Sequence, residues 1–475
     1  MKNKIIVGSI FLLSLISCNQ DFLEIPVEDK TSSSNFFKSS EDAVQATNQI
    51  YSNLRSWNLA AFAPLGVLNI TSDDADKGSS PADASFMDEL NFFTYNATHG
   101  QIGGYWSGQF SGINLCNQVI ENVPNVSMDA TLKTRLIAEA RFLRAYHYFN
   151  LVKAFGGVPI FDGFPEDGNF NIPRNTKEEV YTFIQSEFLD ASQNLPETYP
   201  STESGRATKG AALAFLAKTY LYQSNWAKVK ETTDQVMALG YDLYPDYYQL
   251  FRIANENCVE SIFEIQCTGD LDAGWWDSQY GEVQGVRGQF GWGFGIPSES
   301  LIAAYETGDL RKNATVLFRG TTTPEGDFIN ADGDNPYYNN KVYVPNSQQP
   351  SVGAWNAPQN IRVMRYAEVL LMNAEANNEL GNVLVAAVSI NKLRTRAGLA
   401  NTLALTQAGM RAAIRNERRV ELALEWDRFL DLVRSGQAPT VLGSLGFTAG
   451  KNELFPIPQD EITLSKGVLT QNPGY

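Results

Sequence analysis

Apolar residues recur at three- and four-residue intervals over two long blocks of this chain and lose that rhythm between them. The first block, roughly 40–240, holds "SEDAVQATNQIYSNLR" (40–55), "YWSGQFSGINLCNQVIENV" (105–123), "LKTRLIAEARFLRAYHYFNLVKAF" (132–155), "TKEEVYTFIQSEFLDASQNL" (176–195) and "TKGAALAFLAKTYLYQSNWAKVKETTDQVMAL" (208–239). Each predicts helix. Ser40 ahead of Glu41 and Asp42, and Thr176 ahead of Glu178 and Glu179, are N-cap signals. The second block runs from about 361 to 436 and ends at Gly436 and Pro439. Between them, 240–356 is rich in Gly, Pro, Asn, Asp and aromatics, with "ESIFEIQC" (260–267) as its clear strand candidate. So long a stretch without helical rhythm is functional or disordered, and its Trp and Tyr content argues against disorder.

Two segments read as copies of one unit. "ALAFLAKTYLYQSNWAKVKETTDQVMALG" (212–240) and "AEVLLMNAEANNELGNVLVAAVSINKLRTRAG" (367–398) are each a helix, a polar break and a second helix. Ala214, Ala217, Ala374 and Ala376 stand where paired helices approach closely. This is the tetratricopeptide-like pattern, although no strict period of about 34 residues runs through the chain. One such unit leaves an apolar face exposed, so several must stack. The predicted fold is all-α: tetratricopeptide-like stacked helical hairpins forming an α/α superhelix, with a loop-rich, minor-β ligand-binding excursion. Residues 40–240 and 357–436 are assigned to the scaffold and 241–356 to the ligand platform. Residues 437–475 are read as a C-terminal tail packing on the scaffold.

The first residues give an address. Lys2 and Lys4 precede an apolar run over 5–17, shorter than the about 20 residues a spanning helix needs, and Ser17 then Cys18 follow. Residues 1–17 are expected to be a lipoprotein signal peptide, Cys18 the acylated residue, and 18–39 a tether. No later stretch is long and apolar enough to cross a bilayer. The net charge of −16 argues against nucleic acid, which needs a basic stripe, and favours a neutral ligand. The 20 Tyr and 8 Trp are side chains that stack on sugar rings or bases. Of Cys116, Cys258 and Cys267, an odd number, at least one stays unpaired within the chain. Cys116 reads as a buried residue in a helix, and pairing of the other two is left open.

A set of motifs in fixed order carries a family resemblance: "AEARFLRAYHYFNLVKAFGGVPI" (138–160), "GRATKGAALAFLAKTYLY" (205–222), "GDLRKN" (308–313), "RYAEVLLMNAEA" (365–376), "INKLRTRAGL" (390–399), "IRNERRVELALEWDRFLDLVR" (414–434) and "LFPIPQDEI…LTQNPGY" (454–475). The chain resembles the SusD/RagB-like family of surface lipoproteins. The resemblance implies a tetratricopeptide-like scaffold with a loop-rich ligand platform, and no catalysis. It implies capture of oligo- or polysaccharide at the outer-membrane surface, with delivery to a SusC-type TonB-dependent transporter. A peptide or other nutrient ligand, a glycoside hydrolase and a purely structural interaction protein are the rivals.

His147 lies in an apolar helix and is expected to be packed and satisfied; His99 sits in a turn, and neither has a companion at metal-ligand spacing. "GWGFG" (291–295) lacks the pattern of a nucleotide loop. "NERRVELALEWDRFLDLVR" (416–434) reads as one helix with Glu417, Glu421 and Glu425 on one face, about 5–6 Å apart. Its apolar wrapping means burial, and Arg418, Arg419, Arg428, Arg434, Arg141, Arg144, Arg394 and Arg396 are available as partners. A buried ion network is therefore preferred to an acid–base pair. No catalytic residue, metal or cofactor is assigned. Calcium at "NADGDNPYYNN" (330–340) stays open, with Asp332, Asp334, Tyr337 and Tyr338 present but EF-hand spacing unmet.

The ligand candidates lie in "DLDAGWWDSQYGEVQGVRGQFGWGFG" (270–295). Trp275, Trp276, Tyr280, Phe290 and Trp292 stand among glycines on no regular period, with Asp277, Gln284 and Arg287 able to meet hydroxyls. They bind sugar, or they anchor the loop. By the resemblance, Asp73 and Asp74 in "NITSDDADKG" (69–78) are hydroxyl acceptors; a solvated turn is the alternative. Trp57 and Trp355 are further candidates. Trp106 shares a helical stripe with Phe110, Ile113 and Asn117 and reads as core.

Overall fold

The helices form as a series in which each packs on the next. The computed structural model describes residues 36–165, 168–268, 278–349 and 358–475. Helix α1 spans Ser40–Asn53, α2 Gly100–Asn122, α3 Ala130–Phe155, α4 Lys177–Asn194, α5 Lys209–Tyr222 and α6 Trp226–Met237. The series resumes with α7 Tyr366–Glu379, α8 Val383–Arg396, α9 Gln407–Glu421 and α10 Arg428–Arg434. Contacts run α1–α2–α3–α4–α5–α6, and α6 then packs on α7 across the inserted residues 238–365. Helices α7, α8 and α9 pack on one another. This is the predicted superhelix of stacked hairpins. Among the described residues no helix is long and apolar enough to cross a membrane.

Local chemistry sets the helix ends. Helix α4 starts with the Thr176–Glu179 capping box. Helix α1 starts the same way, but its cap is Ser39, one residue before the expected Ser40. The Ser39 hydroxyl accepts from the Asp42 N–H, and the Asp42 carboxylate accepts from the Ser39 N–H. Helix α2 begins five residues earlier than its pattern suggested. Its glycines hid the start, yet Gly104 and Gly108 let the helix run close beside Asn58 and Leu59.

Helix α3 is buried nearly all round and forms the centre of the main core. Its His147 is packed, as expected, but hydrogen-bonded at one nitrogen only: Nδ1 lies 2.7 Å from Gln109 Oε1, and Nε2 has no partner. Burial pushes it down to about 3, so the ring is neutral. The Nε2 edge of the imidazole abuts Gly112, where an added Cβ would be 2.1 Å from Nε2. Trp106 is core, and Asn117 on the same stripe accepts from Arg144 at 2.8 Å. Cys116 and Cys258 are free thiols, so Cys258 and Cys267 are not joined to each other.

Short antiparallel pairs shape the insertion and tie it to residues 75–78. β1 (Ala75–Gly78) pairs with β3 (Phe294–Pro297). β2 (Ser261–Ile265), the expected strand, pairs with β6 (Ile361–Arg365), and β4 (Val316–Phe318) with β5 (Tyr337–Asn339). The β2–β6 pair contributes Ile262, Phe263, Ile361 and Met364 to the helical core, whereas Val286, Ile296, Leu317, Ile329, Tyr338 and Tyr343 form a separate small core within the insertion. The tail docks on α3, with Phe455 N–H donating to Ala154 O at 2.8 Å and Asn472 Nδ2 to Phe155 O at 3.0 Å.

The 416–434 stretch is two helices, not one. Helix α9 ends at Glu421, and Leu424 (φ 64°) and Trp426 (φ 72°) turn the chain into α10. Glu425 therefore leaves the helix face shared by Glu417 and Glu421, yet all three meet arginines or lysine. Glu421 accepts from Arg396 at 2.5 Å, Arg365 at 3.0 Å and Arg311 at 3.1 Å. Glu417 accepts from Arg311 at 2.6 Å and Arg394 at 3.2 Å. Glu425 binds Lys341 at 2.6 Å and Arg365 at 2.7 Å. Glu260 completes the cluster through Arg396 at 2.6 Å and Arg365. Arg394 and Arg396 were expected here. Arg141 and Arg144 instead serve Glu187, while Arg418 and Arg434 hold a neighbouring cluster with Glu368, Asp427, Asp431 and Glu375.

These side chains are buried, so removing one member strands the others in low dielectric. Glu421→Gln is expected to lose about 3–5 kcal/mol of stability, measured by urea unfolding; a loss below ~1 kcal/mol would contradict the network's role. Acid tests the second cluster. Burial alone would raise Glu368, but Lys218 and Arg418 hold it at about 2. A depressed carboxyl stabilises fully above its unfolded pKa of about 4.3 and loses that contribution as pH falls towards the folded value. Glu368→Gln is therefore expected to flatten the fall in urea midpoint between about pH 4.3 and 2, relative to wild type.

Candidate functional site

An exposed aromatic cluster forms where the insertion meets the 57–64 segment. The chain reaches it through the β1–β3 ladder, in which Gly78 pairs with Phe294 and Ser79 N–H donates to Gly293 O at 2.6 Å. The approach needs glycine. Gly78 has φ +69° and a Cβ there would sit 2.4 Å from Gly293 O; Gly293 has φ +78°. "GWGFG" is thus the lead-in to an edge strand, and its glycines present Trp292 beside β1.

Trp292 packs on Trp57, ring centres 6.1 Å apart and planes 50° apart, and on Phe62 at 5.7 Å. Phe62 stands edge-on to Phe294 at 4.9 Å and to Phe86 at 6.2 Å. Phe62 and Phe294 are buried beneath, while Trp57 and Phe86 keep 42% and 38% of their surface exposed. Trp57 and Phe86 thus offer apolar faces to solvent, with the half-buried Trp292 against Trp57, over a packed aromatic floor. Trp292 N–H donates to Glu282 O at 2.9 Å. Burial pushes the Glu282 carboxyl up to about 7, with a side-chain hydrogen bond to Trp292 opposing the shift.

A polar rim flanks the rings. Arg287 donates to Asp83 at 2.8 Å, to Asp334 at 2.9 Å and to Ser79 Oγ at 3.2 Å. The Arg287 guanidinium holds Asp83 down to about 2. These exposed groups can exchange solvent bonds for hydroxyl bonds without burying an unpaired charge.

The sequence-derived candidates divide. Trp292, Trp57 and Arg287 come together here. Tyr280 does not: it is buried and stands edge-on to Trp426 at 5.1 Å, and the equally buried Gln284 accepts from Asn339 at 2.9 Å, so both support the loop from inside. Asp73 and Asp74 likewise face inward. Asp73 binds Arg428 at 2.7 Å and Arg419 at 2.9 Å, and Asp74 binds Arg419 at 2.7 Å. Committed to arginines, they are neither a solvated turn nor free hydroxyl acceptors; they clamp β1 to α9 and α10. Asp334 belongs to the Arg287 rim, and Tyr338 is core. Among the described residues no three His, Cys, Asp or Glu are grouped to hold a metal. Trp275, Trp276, Asp277, Trp355 and Cys18 lie outside the described residues. Phe86 and Asp83 were not anticipated, because "SSPADASFMDEL" (79–90) reads as a polar loop with no aromatic rhythm.

The SusD family model matches residues 259–445, and a model described as "Starch-binding associating with outer membrane" matches residues 21–221. A SusD-like protein P2 of Formosa agariphila is 29% identical, with 100% of each chain covered. A SusD-like protein of Bacteroides ovatus is 29% identical over 91% of this chain and 82% of that one. Among solved structures, a laminarin binding SusD-like protein superposes with a TM-score of 0.82 at 30% identity, covering 92% of this chain and 100% of that one. The molecule is a tetratricopeptide-like helical scaffold carrying a loop-built aromatic surface. It belongs to the SusD/RagB-like family.

The Glu282 carboxyl gives this surface a spectroscopic handle. A raised carboxyl stays protonated up to about pH 7 and ionises above it. Tryptophan emission is expected to shift with a midpoint near pH 7, and Glu282→Gln is expected to abolish that transition. An unchanged transition in the variant would assign it elsewhere.

Proposed function

We propose that this chain is a non-catalytic glycan-binding lipoprotein of the outer-membrane surface, which captures a neutral oligo- or polysaccharide and passes it to a SusC-type TonB-dependent transporter. The observation that carries the reading is the exposed Trp57–Trp292–Phe86 face with its Arg287–Asp83–Asp334 rim. A pyranose ring has an apolar C–H face that stacks on an indole, and hydroxyls at its edge that bond to charged or amide groups. The 50° between the two indoles suits a chain whose successive sugars turn, rather than a flat ribbon. Trp275, Trp276 and Asp277 are proposed as further ligand contacts from the sequence alone. The similarity to a protein named for laminarin makes laminarin the first glycan to test.

The absence of catalysis is argued from the carboxylates. Glu417, Glu421 and Glu425 are enclosed and saturated by cations, whereas a glycosidase needs two carboxyls flanking an open cleft. Anchoring rests on Cys18 behind its short apolar run, because acyl chains hold a protein to a bilayer through about 0.8 kcal/mol per buried CH₂.

Affinity electrophoresis against laminarin, starch, mannan and a peptide mixture is expected to show retention by one glycan and no release of reducing ends. Trp57→Ala and Trp292→Ala are each expected to weaken that retention at least tenfold, about 1.4 kcal/mol, with the circular dichroism spectrum unchanged. Retention by peptides alone, or glycan retention indifferent to both substitutions, would refute the assignment. Palmitate labelling is expected to disappear in Cys18→Ala; persistence would refute the anchor.

A further inference from the structure

Behind the aromatic surface lies a cavity of about 40 Å³. Leu59 and Pro64, from the segment that carries Trp57 and Phe62, form part of its wall, and Trp426 forms another part. Its polar groups are unbalanced in sign. The Trp426 indole N–H is buried there without a hydrogen-bond partner, and the buried Tyr105 hydroxyl, bonded to Gln109, keeps its own proton to donate. Arg362 Nε also lacks a partner, its nearest carboxylate oxygen, on Glu264, being 3.6 Å away. An indole and a guanidinium can only donate, and a phenol can donate. The unmet need is for an acceptor.

Lys153 adds a cation. Its ammonium faces the rings of Phe149 and Tyr222 at 4.6 and 5.8 Å, and among the described residues no carboxylate pairs with it. Both acids on the wall are committed elsewhere: Asp427 to Lys218 at 2.6 Å, and Glu425 to Lys341 at 2.6 Å and Arg365 at 2.7 Å. Burial, and then the Lys218 ammonium, push Lys153 down to about 8. Water can accept from donors, but it leaves the cation without a counter-charge.

The Trp426 indole is held in place at a conformational penalty. Its φ is 72° and that of Leu424 is 64°, a region that non-glycine residues occupy only where surroundings impose it. Asn69 imposes it: its Nδ2 donates to Leu424 O at 3.3 Å, and its Oδ1 accepts from the Trp426 backbone N–H at 3.2 Å. Room for one water needs about 10–15 Å³, so the cavity has space for a small anion.

We propose that this cavity binds one monovalent anion of halide size, held by the Lys153 ammonium and the Trp426, Tyr105 and Arg362 donors. The ion braces the 57–64 segment from behind. The inference is independent of which ligand the aromatic surface takes.

Crystals of the purified chain soaked in sodium bromide are expected to show an anomalous peak in the cavity within about 3.5 Å of Trp426 Nε1. The melting temperature is expected to rise by about 1–3 °C in sodium chloride or bromide over sodium gluconate at equal ionic strength. That difference is expected to vanish in Lys153→Met and in Trp426→Phe, which keeps an aromatic ring but loses the N–H. Should either variant fail to fold, the wild-type bromide map still decides. A cavity holding water alone with no anomalous signal, or equal melting temperatures in halide and gluconate, overturns the proposal.

Discussion

Arg365 stands where the inserted region returns to the scaffold, and much of the architecture is arranged to keep its guanidinium in company. It is the last residue of β6 and caps α7, and it reaches Glu260 before β2, Glu421 at the end of α9 and Glu425 in the turn beyond. The insertion contributes Glu260, Arg311, Lys341 and Arg365 to this cluster; the C-terminal helices contribute Arg396, Glu417, Glu421 and Glu425. Neither half can bury its charges without the other. Hydrophobic packing would hold helices together in several registers, but a closed set of paired charges accepts only one. The ion network therefore acts as the joint that fixes the platform to the superhelix.

A second set of charges carries that order outward to the surface. Asp73 and Asp74 bind Arg419 and Arg428, which lie on either side of the α9–α10 turn. Their clamp positions β1, β1 pairs with β3, and β3 follows Trp292 directly. Ser298 reinforces the link, its Oγ donating to Asp73 O at 2.6 Å. Residues far from the rings thus determine where the rings stand, and the aromatic floor of Phe62 and Phe294 fixes their tilt. The strained turn at Leu424 and Trp426 belongs to the same chain of dependence, since Asn69, four residues before Asp73, holds it.

Much of this was legible in the sequence, for identifiable reasons. Helical rhythm gave the scaffold, because each helix presents an apolar stripe to its neighbour. It failed at 422–427, where "LALEWD" continues the apolar periodicity while the backbone turns left-handed; composition carries no trace of that φ. The ionic character of Glu417, Glu421 and Glu425 followed from charge within an apolar wrapping, but the partner choice did not. Arg311 and Arg365 lie about 110 and 56 residues upstream of Glu421, and only the fold brings them in. Asp73 and Asp74 looked like a polar loop for the same reason: their arginines are some 345 residues away. At the site, Trp292 and Arg287 were recognisable as aromatics and charge among glycines. Phe86 and Asp83 were not: Asp83 stands in a turn, and the six-residue helix that Phe86 opens is too short to show a period.

Sugar is proposed to stack on Trp57 and Trp292, over a floor held in place by the buried charges. A crystal structure of the chain with the glycan it retains tests this most directly. Intact sugar rings lying over both indoles, with hydroxyls at Arg287, Asp83 or Asp334, are the predicted result. A glycan bound elsewhere with those indoles bare, or a shortened product in its place, would contradict it.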